Sequence, residues 1–474
     1  MTSLLWKNRI QTVVAPFVTV RPEEIPTLLY ACASFFFLLS AYFMVIPLRD
    51  EAAISLGTDT LPLLFLASLL ATLIAAPICS HLLSQSSLSK SKALLLLYRF
   101  FGLSLVFFFI LYAGESSPFI NLTTQGSKLK TGLWVSCTLR ASFYIWIALL
   151  NLFTTSALWA CLADIMTSEA ASRLFGLVGA GATLGQFVGS ISAVFLTRFG
   201  PSLLLLAALF MEFGAQCALR IGSAGVTFDA VTLSSSQDST RNVEEAVQTT
   251  QSLWQLVCNK ALSMLEGLQL TLASSYLLRI CCFLWLTAIV SSFFYFERAN
   301  VVAQVEADPL HRRVLLAKIN SFIAVFVFFG QLTLTGRLLM HCGVTVALCA
   351  SPAVAAFNMM AINMSPTAWV VALSEAARKV TTYVLTRPGR EVLFTVITQA
   401  EKYKAKVFID TFIQRLGDAV AAGMYEILGF LIPMGPSTIA ICALPVCFVW
   451  FLSALSLGWQ HNVRVQEIGA NANN

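Results

Sequence analysis

Runs of about twenty apolar residues recur along the 474-residue chain, and they restrict its fold more than any other feature. A helix needs roughly 20 apolar residues to cross a hydrocarbon core. Inside a bilayer each backbone polar group must find its partner within the protein, so runs of this length read as helices. They fall at 25–48, 59–82, 93–113, 141–163, 174–197 and 201–222. After a polar gap they resume at 275–297, 318–339, 342–364, 366–386, 405–432 and 434–458. Spans 4, 10 and 11 are interrupted by polar residues. Charged residues make up 11% of the chain and mean hydropathy is +0.78, whereas soluble chains are about a quarter charged.

The predicted fold class is therefore an all-α membrane protein of twelve transmembrane helices in two six-helix halves. The halves are residues 1–222 and 275–474, joined by a cytosolic linker over 223–274. The linker begins rich in Ser, Thr and Gln, a flexible composition. From Ser252 to Leu268 its apolar residues recur at helical period, which predicts an amphipathic surface helix. At an offset of 232 residues, Glu169, Leu184 and Gly185 fall on Glu401, Leu416 and Gly417. With the six-plus-six layout this favours a duplicated architecture, as in the major facilitator fold.

Basic residues divide unevenly between the two sets of loops. Sixteen, including Lys7, Arg9, Arg220 and Arg390, lie with the termini and the even-numbered loops, against seven opposite. The positive-inside rule then places both termini in the cytosol of a multi-pass membrane protein. The first run is too long for a signal-peptide core and is read as a retained span. The net charge of +6 is a loop bias, with no nucleic-acid footprint.

Catalysis and metal binding find little support. The twelve cysteines contain no C-x-x-C, and most lie in apolar runs, where cysteine acts as a small hydrophobe. The four histidines form no metal-ligand spacing. Gly176 to Gly189 matches neither nucleotide-loop pattern; Gly181, Gly185 and Gly189 instead recur every four residues, as in closely packed spans. No enzyme activity, cofactor or metal is expected.

Charge inside the spans is the remaining signal. A mid-helix charge costs about 2.5–3.5 kcal/mol on insertion scales, so such groups should face protein or water. In span 10, Glu375, Arg378 and Lys379 share one helix face by i, i+3 and i, i+4 spacing, with Tyr383 one turn on. An internal ion pair is the plainer alternative. Span 1 ends in Pro47, Arg49, Asp50 and Glu51, and span 7 ends similarly in Tyr295, Glu297 and Arg298. Asn151, Asn320, Gln331, Asp410, Arg415 and Asp418 complete the polar inventory, and Arg99 reads as a snorkelling anchor. Candidate substrate-binding residues are Arg378, Lys379, Glu375, Asn151, Arg49, Asp50 and Tyr383. Arg390, Lys402, Lys404 and Lys406 form a basic cluster at the cytosolic edge.

The stretch 387–417, RPGREVLFTVITQAEKYKAKVFIDTFIQRLG, resembles the span 10–11 connection of the ATP/ADP translocase family, the nucleotide transporters of plastids and obligate intracellular bacteria. PLRDEAAISLG, LWACLADIMTSEAASRLFGLVGAGATLG and FYFERANVV continue the likeness in the same order. It is closer still to that family's relatives within the major facilitator superfamily. The resemblance implies a transporter and admits a nucleotide as substrate. The family's span 2 lysine and span 11 Gly-Lys-Ser-Gly-Gly have no counterpart at Leu61–Thr72 and Gly417–Ala421.

The expected function is alternating-access transport of an organic or phosphorylated anion, with the lipid bilayer and a small anionic solute as partners. ATP/ADP exchange is the alternative within the class. A membrane receptor or scaffold with a transporter fold, not itself transporting, is the alternative outside it.

Overall fold

In the computed structural model, the described residues are 21, 24–84, 89–115, 128–166, 168–232, 269–333, 335–394, 409–431 and 436–472. The amphipathic stretch of the linker and Lys402, Lys404 and Lys406 lie outside them. The described chain is all helix, with no strand. Its first half contributes α1 (Ile25–Ser55), α2 (Leu61–Ser84), α3 (Lys90–Glu115), α4 (Lys128–Ile165), α5 (Ser168–Leu196) and α6 (Leu203–Thr232). Its second half contributes α7 (Ser275–Val305), α8 (Pro309–Thr333), α9 (Thr335–Met364), α10 (Ala368–Thr381), α11 (Gln414–Leu431) and α12 (Pro436–Ala472). A π-helical turn, Thr382–Thr386, carries α10 on into Arg387–Leu393, and another, Ile409–Ile413, leads into α11.

Ten of these helices are long and apolar enough to cross a membrane; α10 and α11 are the two that are not. Helix α10 is only 14 residues long, and the 18-residue α11 carries Arg415, Asp418 and Glu426. Several helices outrun the apolar runs in the sequence: α4 begins at Lys128, α6 continues to Thr232 and α12 to Ala472. Hydropathy registers only the hydrocarbon slab, whereas a nucleated helix propagates cheaply into polar sequence. The α6 extension replaces the irregular chain expected from Ser223 with helix. Gly343 (φ 73) breaks α9 about two turns after its start, so the apolar span begins where the sequence placed it.

The outside of a helix such as α3 is apolar. Leu96, Phe100, Leu103, Phe107 and Ile110 are exposed at three- and four-residue spacing, a continuous stripe along one face. Water would penalise that stripe and lipid does not. Five charged groups within the helices are instead buried: Asp50, Glu51, Glu297, Arg298 and Glu375.

The chain packs into two compact units. The first comprises α1 to Leu48, α2 from Ile74, α3, α4 outside Arg140–Ile145, α5 and α6. Here α3 lies against α6, and α5 lies against α1. A Cβ on Gly181, Gly185 or Gly189 would run into the backbone of Cys32, Phe36 or Ser40 respectively. Only glycine admits so close an approach, and the Ser40 hydroxyl donates to the Gly185 carbonyl at 3.2 Å. Arg99 does not merely anchor: its guanidinium bonds Glu212 of α6 at 2.7 Å. The Glu212 carboxylate, well inside α6, is within its reach only through the α3–α6 packing.

The second unit comprises Arg49–Leu73, Arg140–Ile145 and α7 through α12. Its core includes Phe283, Phe293, Phe296 and Phe394, all fully buried. Helix α7 is central, packed by α8, α10, α11 and α12. Its N-terminus is capped by Ser274, whose hydroxyl accepts from the Leu277 amide. Gly417 of α11 meets α7 as Gly185 meets α1: a Cβ there would strike Ala288 and the Trp285 carbonyl. The two glycines matched at an offset of 232 residues thus perform one packing task in each half.

Candidate functional site

The charged side chains that the second unit buries gather around α7. Tyr295 and Arg298 lie one turn apart on that helix. Arg298 donates to the Asp50 carboxylate at 2.7 Å and, through its other terminal nitrogen, to the Asn320 side-chain oxygen of α8 at 3.3 Å. Arg49 donates to the other oxygen of Asp50 at 2.6 Å, and the Tyr295 hydroxyl reaches that oxygen at 3.3 Å. Asp50 therefore holds two guanidiniums, and both it and Arg298 are almost wholly buried. Charge-assisted bonds of this kind are the strong ones.

The next residue extends the lattice. Glu51 accepts from Arg313 of α8 at 2.8 Å and lies 3.8 Å from Arg140 of α4. Arg140 also bonds the Ser55 hydroxyl. Neither Arg140 nor Arg313 was marked as a site residue by sequence. Arg140 precedes the apolar run of span 4 by one position, and Arg313 precedes that of span 8, so both read as ordinary flanking charge.

Span 10 contributes the second cluster. Arg378 binds Glu375 through Nη2 at 2.9 Å, and Lys379 lies 3.6 Å from the same carboxylate. The shared helix face read from their spacing is thus present. Arg378 turns its remaining nitrogen to the Ser291 hydroxyl at 3.1 Å and lies 5.0 Å over the Phe294 ring, both on α7. Tyr383, in the π-helical turn, is covered by Arg387 at 4.2 Å, and its carbonyl accepts from Gln331 of α8 at 3.4 Å. Such turns interrupt the helix ladder and are frequent at functional sites.

The two clusters are electrostatically joined. Arg298 interacts with both Asp50 and Glu375, and Asp50 in turn with Lys379. Aromatic rings fill the space beside them. Arg49 lies 5.3 Å from the Tyr144 ring, Arg298 5.3 Å from Tyr295, and Phe65 packs on Tyr295 and Phe296 at 5.3 and 5.0 Å. Further along α7, Ser292 donates to Asp418 at 2.8 Å, and Arg415 lies 3.6 Å from the same carboxylate.

Of the candidate residues, Arg49, Asp50, Glu375, Arg378, Lys379 and Tyr383 are brought into this one unit. Asn151 is not. It belongs to the first unit, partly buried, and its side-chain oxygen accepts from Thr155 at 3.4 Å. Arg390 lies half-buried beyond the π-helical turn. Among the described residues no group of three or more His, Cys, Asp or Glu is placed to hold a metal.

Comparison with solved structures identifies the architecture. A bacterial homologue of the iron transporter ferroportin, solved in an inward-facing state, superposes with a TM-score of 0.58 at 14% identity, over 92% of this chain and 98% of that one. A POT family transporter in complex with 5-aminolevulinic acid gives a TM-score of 0.55 at 13% identity, over 92% and 96%. The chain has the major facilitator fold. No protein-family model matches the sequence, and no curated protein matches it significantly. The likeness to ATP/ADP translocases rests on sequence motifs alone.

Proposed function

We propose that this protein is a multi-pass membrane transporter carrying an organic or phosphorylated anion by alternating access. One observation carries the reading. Arg49, Arg140, Arg298, Arg313, Arg378 and Lys379 share the lattice with only three acids, Asp50, Glu51 and Glu375. Six bases against three acids leave a positive excess in a setting where even Lys379 and Arg140, the most open of the six, are only 27% and 26% exposed. Low dielectric makes an excess of like charge costly unless an anion answers it. Arg378 is the residue best placed to bind that anion. It is held by Glu375, Ser291 and Phe294 in one orientation, and guanidinium geometry matches carboxylate and phosphate oxygens.

A nucleotide is the second reading, supported by the resemblance to ATP/ADP translocases and by the flat rings of Tyr144, Tyr295 and Phe65 beside the bases. Such faces stack on a heterocyclic base. The fold is shared with a transporter that binds 5-aminolevulinic acid, so small polar solutes suit the architecture.

The test is thermal unfolding of the purified protein over ATP, ADP, inorganic phosphate and malate, followed by uptake of the stabilising anion into proteoliposomes. Ligands that bind only the folded state raise its stability. We expect one class of anion to raise the melting temperature and to enter the vesicles, and Arg378→Ala to lose both effects while remaining folded. Exchange of labelled ATP for internal ADP selects the nucleotide reading. A protein that no anion stabilises is a scaffold with a transporter fold, and the proposal fails.

A further inference from the structure

Glu297 differs from every other acid around α7. It is completely buried, and neither carboxylate oxygen has a hydrogen-bond partner. Asp50, Glu51, Glu375 and Asp418 each hold at least one base. Glu297 holds none, although Arg298 follows it directly in the chain. The helix explains this: successive residues point about 100° apart, so Arg298 turns to Asp50 and Asn320 while Glu297 turns toward another face.

Titratable groups on the elements packed around α7 are engaged elsewhere or lie at the surface. On α8, Arg313 is on Glu51 and Lys318 is exposed. On α10, Arg378 and Lys379 are on Glu375. On α11, Arg415 is on Asp418, and Glu426 is exposed. On α12, Arg464 covers Tyr276 near the start of α7, and His461 bonds the same tyrosine. Asp59, in the turn after α1, is exposed. The Tyr425 hydroxyl of α11 interacts electrostatically with Glu297, Asp59 and Glu426, and it accepts from Asn300 at 3.2 Å.

An isolated carboxylate in such a place costs far more than a neutral acid, and the group takes up a proton instead. A bound metal cation is a poorer answer, since it requires several oxygen ligands and no metal-holding group of acids exists among the described residues. We propose that Glu297 is a proton-binding site through which the transporter couples proton movement to its cycle. The step is a reversible protonation: the carboxylate takes a proton from water when the site opens and returns it when the site next meets water. This rests on the transporter reading. It adds a driving ion to it, and the direction of coupling for an anion is co-transport, because the proton offsets one negative charge.

Infrared spectroscopy of the purified protein tests this without any substrate. The expected result is a protonated-carboxyl stretching band at neutral pH, where exposed glutamates, which titrate at about 4.3, are ionised. The band should vanish in Glu297→Gln, move in Glu297→Asp, and shift in heavy water as the site opens and exchanges its proton. Absence of a Glu297-dependent band at neutral pH overturns the proposal. So does a band that never shifts in heavy water, since a permanently sealed acid is structural and couples nothing. Loss of the anion reading would instead show as unchanged melting temperatures across the anion panel, with the infrared result unaffected.

Discussion

Arg298 donates to Asp50 at 2.7 Å across 248 positions of sequence, and the two side chains are only 7% and 2% exposed. A buried pair of this kind costs as much to desolvate as it returns, so its presence is no simple gain in stability. Removing one partner is another matter, because it strands the other charge.

Asp50→Ala should therefore destabilise the protein by about 3–5 kcal/mol, read as a drop in thermal midpoint of the purified protein. Asp50→Leu with Arg298→Met should recover much of that loss. A double variant no more stable than the sum of its singles would show that the two residues are not coupled.

The Arg99–Glu212 pair gives the opposite expectation. Its side chains are 46% and 39% exposed, so Glu212→Gln should cost less than about 1 kcal/mol. Thermal unfolding in detergent checks this. A loss as large as that of Asp50→Ala would refute the distinction between buried and exposed pairs drawn here.

At Arg378 chemistry matters as well as charge. Its guanidinium reaches Glu375, Ser291 and the face of Phe294 together. A lysine is a single point charge and cannot hold all three. Arg378→Lys should weaken binding of the stabilising anion at least tenfold, about 1.4 kcal/mol, with the fold retained. Titration of the thermal shift measures it, and unchanged affinity would remove Arg378 from the binding role.

Two glycines separate close packing from helix propensity. Gly185→Ala forces a methyl into the backbone of Phe36 and should destabilise by several kcal/mol, as overpacking does. Gly423 of α11 has nothing within 4 Å, so Gly423→Ala should stabilise by about 0.5–1 kcal/mol. Melting temperatures that move in the same direction would contradict this contrast.

Much of the fold can be read from sequence because the bilayer imposes it. Runs of hydrocarbon length became helices, and the four-residue glycine spacing became the α1–α5 contact. The span 10 triad was equally legible, since i, i+3 and i, i+4 geometry lies within one helix. What sequence cannot supply is the partner of a residue far along the chain. Arg49, Asp50 and Arg298 stood out as charges at span ends, yet their bonding to one another is tertiary. Arg140 and Arg313 escaped notice for a related reason: they sit just outside apolar runs, where flanking bases are ordinary. Glu297 was visible as a residue, but its lack of partners can be seen only after every neighbour has been placed.

The glycine contacts along α5 have a mechanical consequence. Helix α1 is gripped from Cys32 to Ser40 with no side chain between the two backbones, while its last turns carry Arg49, Asp50 and Glu51. Pro47, inside α1, removes a rung of the helix ladder between grip and charges. A clamped stretch followed by a missing rung makes Pro47 the point at which α1 bends most cheaply.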